Sequence, residues 1–259
     1  MQEFYEEFGW THVGNDTIDA LLNENLSEVA SVYTRKVRLR VKENIGAGFN
    51  ILDVGSGPIQ YEEYLAYSDN FQKRICVDLS KRALVEAERK LGSRGVYLQG
   101  DYLQMTELHA KPLDGATLIN VLYHVEKDLQ EVMVNTILGS LNRGARLVIV
   151  YSNPWSFSSI MTRSALLVKR NFAKYFSKSS QVSKNPIYFY RHNLSFWNRF
   201  NNVANVQLKA WRSFDPSIEK FIFREKLFGK YFLEILFRLE RYKLWARIAE
   251  YQLIVLEKK

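Results

Sequence analysis

Between Phe49 and Val150 the chain alternates short, almost wholly apolar runs with segments whose apolar residues recur every three or four positions. FNILDV (49–54), QKRICVDL (72–79), GVYLQGD (95–101), ATLINVLYHV (116–125) and ARLVIVYSN (145–153) read as strands, the last after the stop at Asn142-Arg143-Gly144. Between them YEEYLAY, KRALVEAERKL and DLQEVMVNTILGSL (128–141) read as helices; in the second, Ala83, Leu84, Ala87 and Leu91 fall at helical spacing. Strands rich in Val, Ile and Leu, without polar alternation and separated by helices, predict a parallel sheet covered on both faces.

The flanks differ in character. Residues 1–45 read as an N-terminal helical cap, with DTIDALL and SEVASVYTRKVRLRVKE the clearest segments and Ser27 a helix start. Residues 46–154 form the α/β core. Residues 155–259 read as helical insertions plus the last two strands of the same sheet, VANVQLKAWRSF (203–214) and EYQLIVLEKK (250–259), so one domain is expected overall. The intervening SIEKFIFREKLFGKYFLEILFRLERYKLWARI carries a stripe of Phe221, Phe228, Phe232, Ile235, Leu239 and Tyr242. That stripe is expected to pack on the core. The competing reading lays it on an anionic membrane, with Lys220, Arg224, Lys230, Arg238 and Arg241 around it.

Charge sharpens this division. The net charge is +8, but residues 1–153 carry 16 Lys/Arg and 21 Asp/Glu, whereas residues 154–259 carry 20 and 7. The C-terminal part therefore presents a positive field, to which nucleic acid, an anionic lipid surface or a phosphorylated substrate would respond alike. A single cysteine, Cys76, excludes an intrachain disulfide and a cysteine zinc cluster; the four histidines show no metal-ligand spacing, so no metal is expected. The acidic start MQEFYEEFGW does not resemble a secretory signal, and no run reaches the ~18 apolar residues of a spanning helix. A cytoplasmic location is expected, with the inner membrane face as its one peripheral alternative.

Chemistry enters at LDVGSGP. Gly55 and Gly57 allow close backbone approach to a ligand and, before a helix, would offer unsatisfied amides. A phosphate-binding P-loop is absent, and Gln60 stands where a dinucleotide fingerprint needs a third small residue, which disfavours NAD or FAD. Asp53 interrupts an apolar strand, where a carboxylate is costly without a partner. Asp78 and Asp101 end the next two strands. Three carboxylates at the carboxyl ends of successive parallel strands converge on the crevice where open sheets bind ligands.

The order NILDVGSGP, VDLS, GDY and LINVLYHVEKD resembles the class I, Rossmann-like S-adenosylmethionine-dependent methyltransferases over Phe49–Val150, and EYQLIVLEKK resembles that family's antiparallel last strand. The resemblance implies S-adenosylmethionine as cofactor and S-adenosylhomocysteine as product. It implies that Asp53, Gly55, Ser56 and Gly57 hold the amino-acid end, Asp78 the ribose, Leu79 the adenine face, and Asp101 with Tyr102 the adenine amino group. Asn120 and Tyr123 would line the reactive side. The sequence departs from many members at Ser56-Gly57-Pro58, leaving one hydroxyl fewer near the carboxylate end; Pro58 suits the first turn of a helix.

A sulfonium methyl needs a nucleophile in line behind it, and a base if that nucleophile is a hydroxyl. His124, four residues after Asn120, is the candidate base. His192 in YFYRHNLSFW is a candidate substrate residue, as are Tyr5 and Trp10, which with Tyr33 could close over the cofactor as a lid. Asn120-Val-Leu-Tyr123 lacks the paired prolines of the motif typical of DNA and RNA amino-methyltransferases, and Cys76 sits inside a strand, away from a nucleophile's place. The expected reaction is methyl transfer by in-line displacement to a small-molecule acceptor, a hydroxyl of a sugar or glycolipid precursor; the tail resembles those of bacterial glycan-pathway methyltransferases. The alternative is an RNA-directed methyltransferase or a cofactor-binding module that tracks phosphates with its basic half.

Overall fold

The computed structural model describes residues 12–13, 16–17, 28–160 and 188–259. Seven strands form one sheet: β1 Gly48–Val54, β2 Phe71–Asp78, β3 Gly95–Gln99, β4 Leu113–Ile119, β5 Leu141–Ser152, β6 Ala204–Arg212 and β7 Tyr251–Lys258. Their order is β3-β2-β1-β4-β5-β7-β6; β7 runs antiparallel to both neighbours, inside the sheet, and the pairings from β3 to β5 are all parallel. The fold is the Rossmann-like α/β architecture expected, and β6 and β7 complete the sheet begun by the central segment.

Helices α1 Glu28–Ile45, α2 Glu62–Leu65, α3 Lys81–Leu91, α4 Thr106–His109, α5 Lys127–Ser140, α6 Pro216–Ile222, α7 Lys226–Leu239 and α8 Lys243–Ile248 surround it. Side-chain alternation along the strands supplies both faces. Leu52, Val54, Ile75 and Val77 pack under α5 with Met133, Val134 and Ile137, joined by Phe196, Trp197 and Phe200. Ile51, Val148, Val150 and Val255 face the other way, onto Tyr33, Val37 and Val41 of α1 and Leu233 and Leu236 of α7. Ser80 Oγ caps α3 by accepting from the amide of Ala83, and Asp215 caps α6 with Pro216 in its first turn.

Several expectations are corrected. The fourth strand ends at Ile119, because Asn120 adopts a left-handed backbone (φ 60°) and Leu122–His124 form a short 3-10 turn. The fifth strand begins at Leu141, before the expected stop, with a bulge between Leu113 and Gly115 of its partner β4. Within DTIDALL, Asp16–Thr17 is not helical but pairs antiparallel with His12–Val13; the remainder of that segment and Ser27 lie outside the described residues. The amphipathic stretch after Phe214 forms three helices, α6 to α8. Its expected core stripe is largely reversed: Phe221, Phe228, Ile235 and Tyr242 are exposed, while Phe223, Leu233 and Leu236 are buried. Tyr33 is no lid. It is fully buried, its hydroxyl donating to Glu240 Oε1 (2.6 Å) and accepting from the amide of Ser213 (2.8 Å).

Candidate functional site

The strands β1, β2 and β4 deliver their carboxyl ends to a cavity of about 770 Å³. Its lining includes Asp53, Gly55, Ser56, Gly57, Asp78, Leu79, Asp101, Tyr102, Asn120, Tyr123 and His124, so residues scattered over more than seventy positions meet at one crevice. Tyr5 and Trp10 lie outside the described residues. His192 does not line the cavity. Its ring stacks on Phe196, centroids 4.0 Å apart, because its backbone amide is held by Tyr151 Oη at 2.8 Å on the α5 side of the sheet.

The glycine turn is built from the strands rather than from a helix. The amides of Gly55 and Ser56 donate to Val77 O at 2.7 and 3.2 Å, and that of Gly57 to Asp78 Oδ2 at 2.8 Å. Helix α2 starts only at Glu62, so the expected helix N-terminus, and the first-turn place for Pro58, do not occur at the turn. Gly55 has φ +68°, and a Cβ there would stand 2.3 Å from Val121 Cγ2. No other residue fits without displacing the start of the β4–α5 connection. Four residues on, Ile59 holds φ 51° while buried, a strained state for a β-branched side chain. Lys90 of α3 fastens that segment, its ammonium donating to Pro58 O (3.1 Å) and Ile59 O (2.7 Å).

Asp53 has the partner its burial demands. Oδ2 accepts from Arg74 Nε (3.1 Å) and Nη2 (2.5 Å), and Oδ1 accepts from Thr117 Oγ1 (2.6 Å). Arg74 also donates through Nη1 to Tyr64 O and Ser68 Oγ. Its guanidinium is buried and lines the same cavity. Sequence reasoning missed it, although a basic residue inside QKRICVDL beside an acidic one inside FNILDV was the signal: with Asp53 registered against Cys76, alternation puts Arg74 on Asp53's face.

Asp78 holds the turn as well as β2's end, Oδ1 accepting from the amide of Ser80 at 2.9 Å. Asp101 Oδ1 caps the following 3-10 turn through the amide of Leu103. Asn120 Oδ1 is buried with no hydrogen-bond partner among the described residues. His124 Nδ1 lies 2.9 Å from Tyr188 O; a carbonyl only accepts, so Nδ1 carries the proton and Nε2 the lone pair. Burial holds its pKa below the ordinary 6.5, favouring the neutral ring.

The cavity is also lined by Tyr61, Tyr64, Tyr67, Trp211 and Tyr251, none singled out by sequence reasoning. Trp211 and Tyr251 come from β6 and β7, which reach the site only because β7 inserts between β5 and β6. Trp211 Nε1 is buried and, like Asn120 Oδ1, has no partner among the described residues. Arg212 beside it is bound by both Glu219 oxygens at 2.7 Å. No cluster able to hold a metal ion occurs among the described residues.

Residues 52–149 match the family model described as a methyltransferase domain. No curated protein matches the chain. Among solved structures, magnesium protoporphyrin IX methyltransferase from Synechocystis PCC 6803 with bound SAH is similar with TM-score 0.55 at 11% identity, covering 99% of this chain and 98% of that one. N-methyltransferase NodS from Bradyrhizobium japonicum WM9 in complex with S-adenosyl-L-homocysteine has TM-score 0.54 at 13% identity, covering 95% and 93%. A SAM-dependent methyltransferase from Archaeoglobus fulgidus has TM-score 0.52 at 14% identity, covering 88% and 94%. At these identities the likeness is one of fold.

Proposed function

We propose that this protein, whose residues 52–149 match a methyltransferase domain, is an S-adenosylmethionine-dependent methyltransferase that methylates a hydroxyl of a small, uncharged acceptor of the sugar or glycolipid-precursor class. The observation that carries this reading is the single cavity joining the glycine turn to an aromatic wall. Among its lining residues, Tyr102 Oη, Asn120 Oδ1 and Trp211 Nε1 are buried without a partner among the described residues. Such atoms are costly unless a ligand completes them.

In this reading residues 46–154 hold the cofactor and the segments after residue 155 supply the acceptor side. The Gly55–Gly57 turn and the Asp53–Arg74 pair face the cofactor's amino-acid end. The pair, rather than a lone carboxylate, acts there, because both Asp53 oxygens are already engaged. Asp78 takes the ribose hydroxyls with its remaining lone pairs, Leu79 the adenine face, and Asp101 with Tyr102 the adenine edge. The cofactor supplies an electrophilic methyl. Asn120 and Tyr123 border its reactive side.

On the acceptor side, flat Tyr and Trp faces suit the apolar faces of a sugar ring, and Trp211 Nε1 donates to one of its oxygens. Arg212 there is neutralised by Glu219, as Arg74 is by Asp53 at the cofactor's end, which favours an uncharged acceptor. His124 Nε2 would accept the proton of that hydroxyl, whose oxygen would bond the methyl in line as the sulfonium S–CH3 bond breaks and S-adenosylhomocysteine leaves. Incubating the protein with methyl-labelled cofactor and a fractionated extract of its source cells tests the reading. Label should enter small sugars or lipid-linked glycan; label confined to RNA or protein would defeat it.

A further inference from the structure

Helix α7 has two apolar faces. At 100° per residue, Gly229, Leu233 and Leu236 point into the protein, whereas Leu227, Phe228, Tyr231 and Ile235 share a second sector that is exposed. The neighbouring helices extend it. Phe221 at the end of α6 is 81% exposed, Leu227 is 86% exposed, and Tyr242 and Leu244 beside and within α8 are 66% and 72% exposed. A soluble surface rarely leaves so many large apolar side chains together on consecutive elements.

The charges around them are one-sided. All eight Lys and Arg between Pro216 and Ile248, among them Lys220, Arg224, Lys230, Arg238 and Arg241, are exposed. Of the four Glu in the same stretch, Glu219 is buried against Arg212 and Glu240 against Arg40, leaving only Glu225 and Glu234 at the surface. Inward use of acids thus leaves an apolar strip rimmed by cations. A second copy of the chain is a poor occupant, since a two-fold contact would press the cationic rim against itself.

We infer that the exposed face of α6–α8 is a docking surface for an anionic lipid bilayer. The apolar side chains enter the boundary of headgroups and acyl chains while the rim cations meet lipid phosphates. The inference is independent of the acceptor, since cofactor binding is read separately. The full chain is sedimented with vesicles of phosphatidylcholine alone or mixed with phosphatidylglycerol, beside Leu227→Ser/Phe228→Ser/Tyr231→Ser and Lys230→Glu/Arg238→Glu.

Binding to the anionic vesicles should exceed that to the neutral ones by about tenfold or more, and fall with added salt. Each variant should lose about tenfold of it while binding S-adenosylhomocysteine like the parent, because the altered side chains are exposed. Equal binding to both vesicle types, or undiminished binding by the serine variant, overturns the inference. So does a dimer that the serine variant dissociates, or salt-steep RNA binding by a protein that ignores vesicles.

Discussion

Replacing Arg74 by Met tests whether the cofactor end of the site rests on a buried ion pair. The guanidinium makes four donations, to Asp53 Oδ2 through Nε and Nη2 and to Tyr64 O and Ser68 Oγ through Nη1. Arg74 is only 2% exposed and Asp53 3%, so water cannot replace what is lost. Methionine fills much of the volume but leaves the Asp53 carboxylate with Thr117 alone. Breaking a pair of this kind costs about 3–5 kcal/mol, which for a chain of this size lowers the unfolding midpoint by about 6–20 °C. Thermal unfolding with and without S-adenosylhomocysteine measures it, and the loss should persist at high salt because the pair is shielded from mobile ions. Adding Asp53→Leu should recover half or more of the stability, since two apolar groups need no partners. Cofactor affinity, by contrast, should stay lost in the double variant. A single variant within about 1 kcal/mol of the parent, or a double variant no better than the sum of its parts, would refute the reasoning.

Gly55→Ala should weaken S-adenosylhomocysteine binding and cost about 2–3 kcal/mol of stability, from the positive φ and the collision with Val121; calorimetry and denaturant unfolding report the two effects. For His124, neutral because burial lowers its pKa from 6.5, kcat/KM should be flat above that pH and fall as pH drops through the lowered value. Stability should decline over the same acid window, because the unfolded chain takes up the proton first; His124→Asn should abolish the activity limb. Trp211→Phe keeps an aromatic ring but removes a buried donor without a partner among the described residues. It should raise the acceptor KM about three- to tenfold, leave cofactor affinity unchanged and not lower the melting temperature.

The part of the cavity proposed to hold the cofactor could be read from the chain because its determinants are local. Each strand is a largely apolar run, and Asp53, Asp78 and Asp101 sit at or just past strand ends, where parallel topology alone makes them converge. The lining of the cavity by these residues, Asn120 and His124 follows from that convergence. The proposed acceptor side was not legible, for it depends on which strands become neighbours. Trp211 and Tyr251 are forty residues apart and meet at the cavity only through the insertion of β7 between β5 and β6. Arg74 looked like an isolated charge until register placed it on the same face as Asp53. The stripe after Phe214 misled for a related reason. Periodicity shows that a helix has an apolar face, but α7 has two, and only packing against α1 and the sheet decides that Leu233 and Leu236 turn inward while Leu227 and Phe228 remain in solvent.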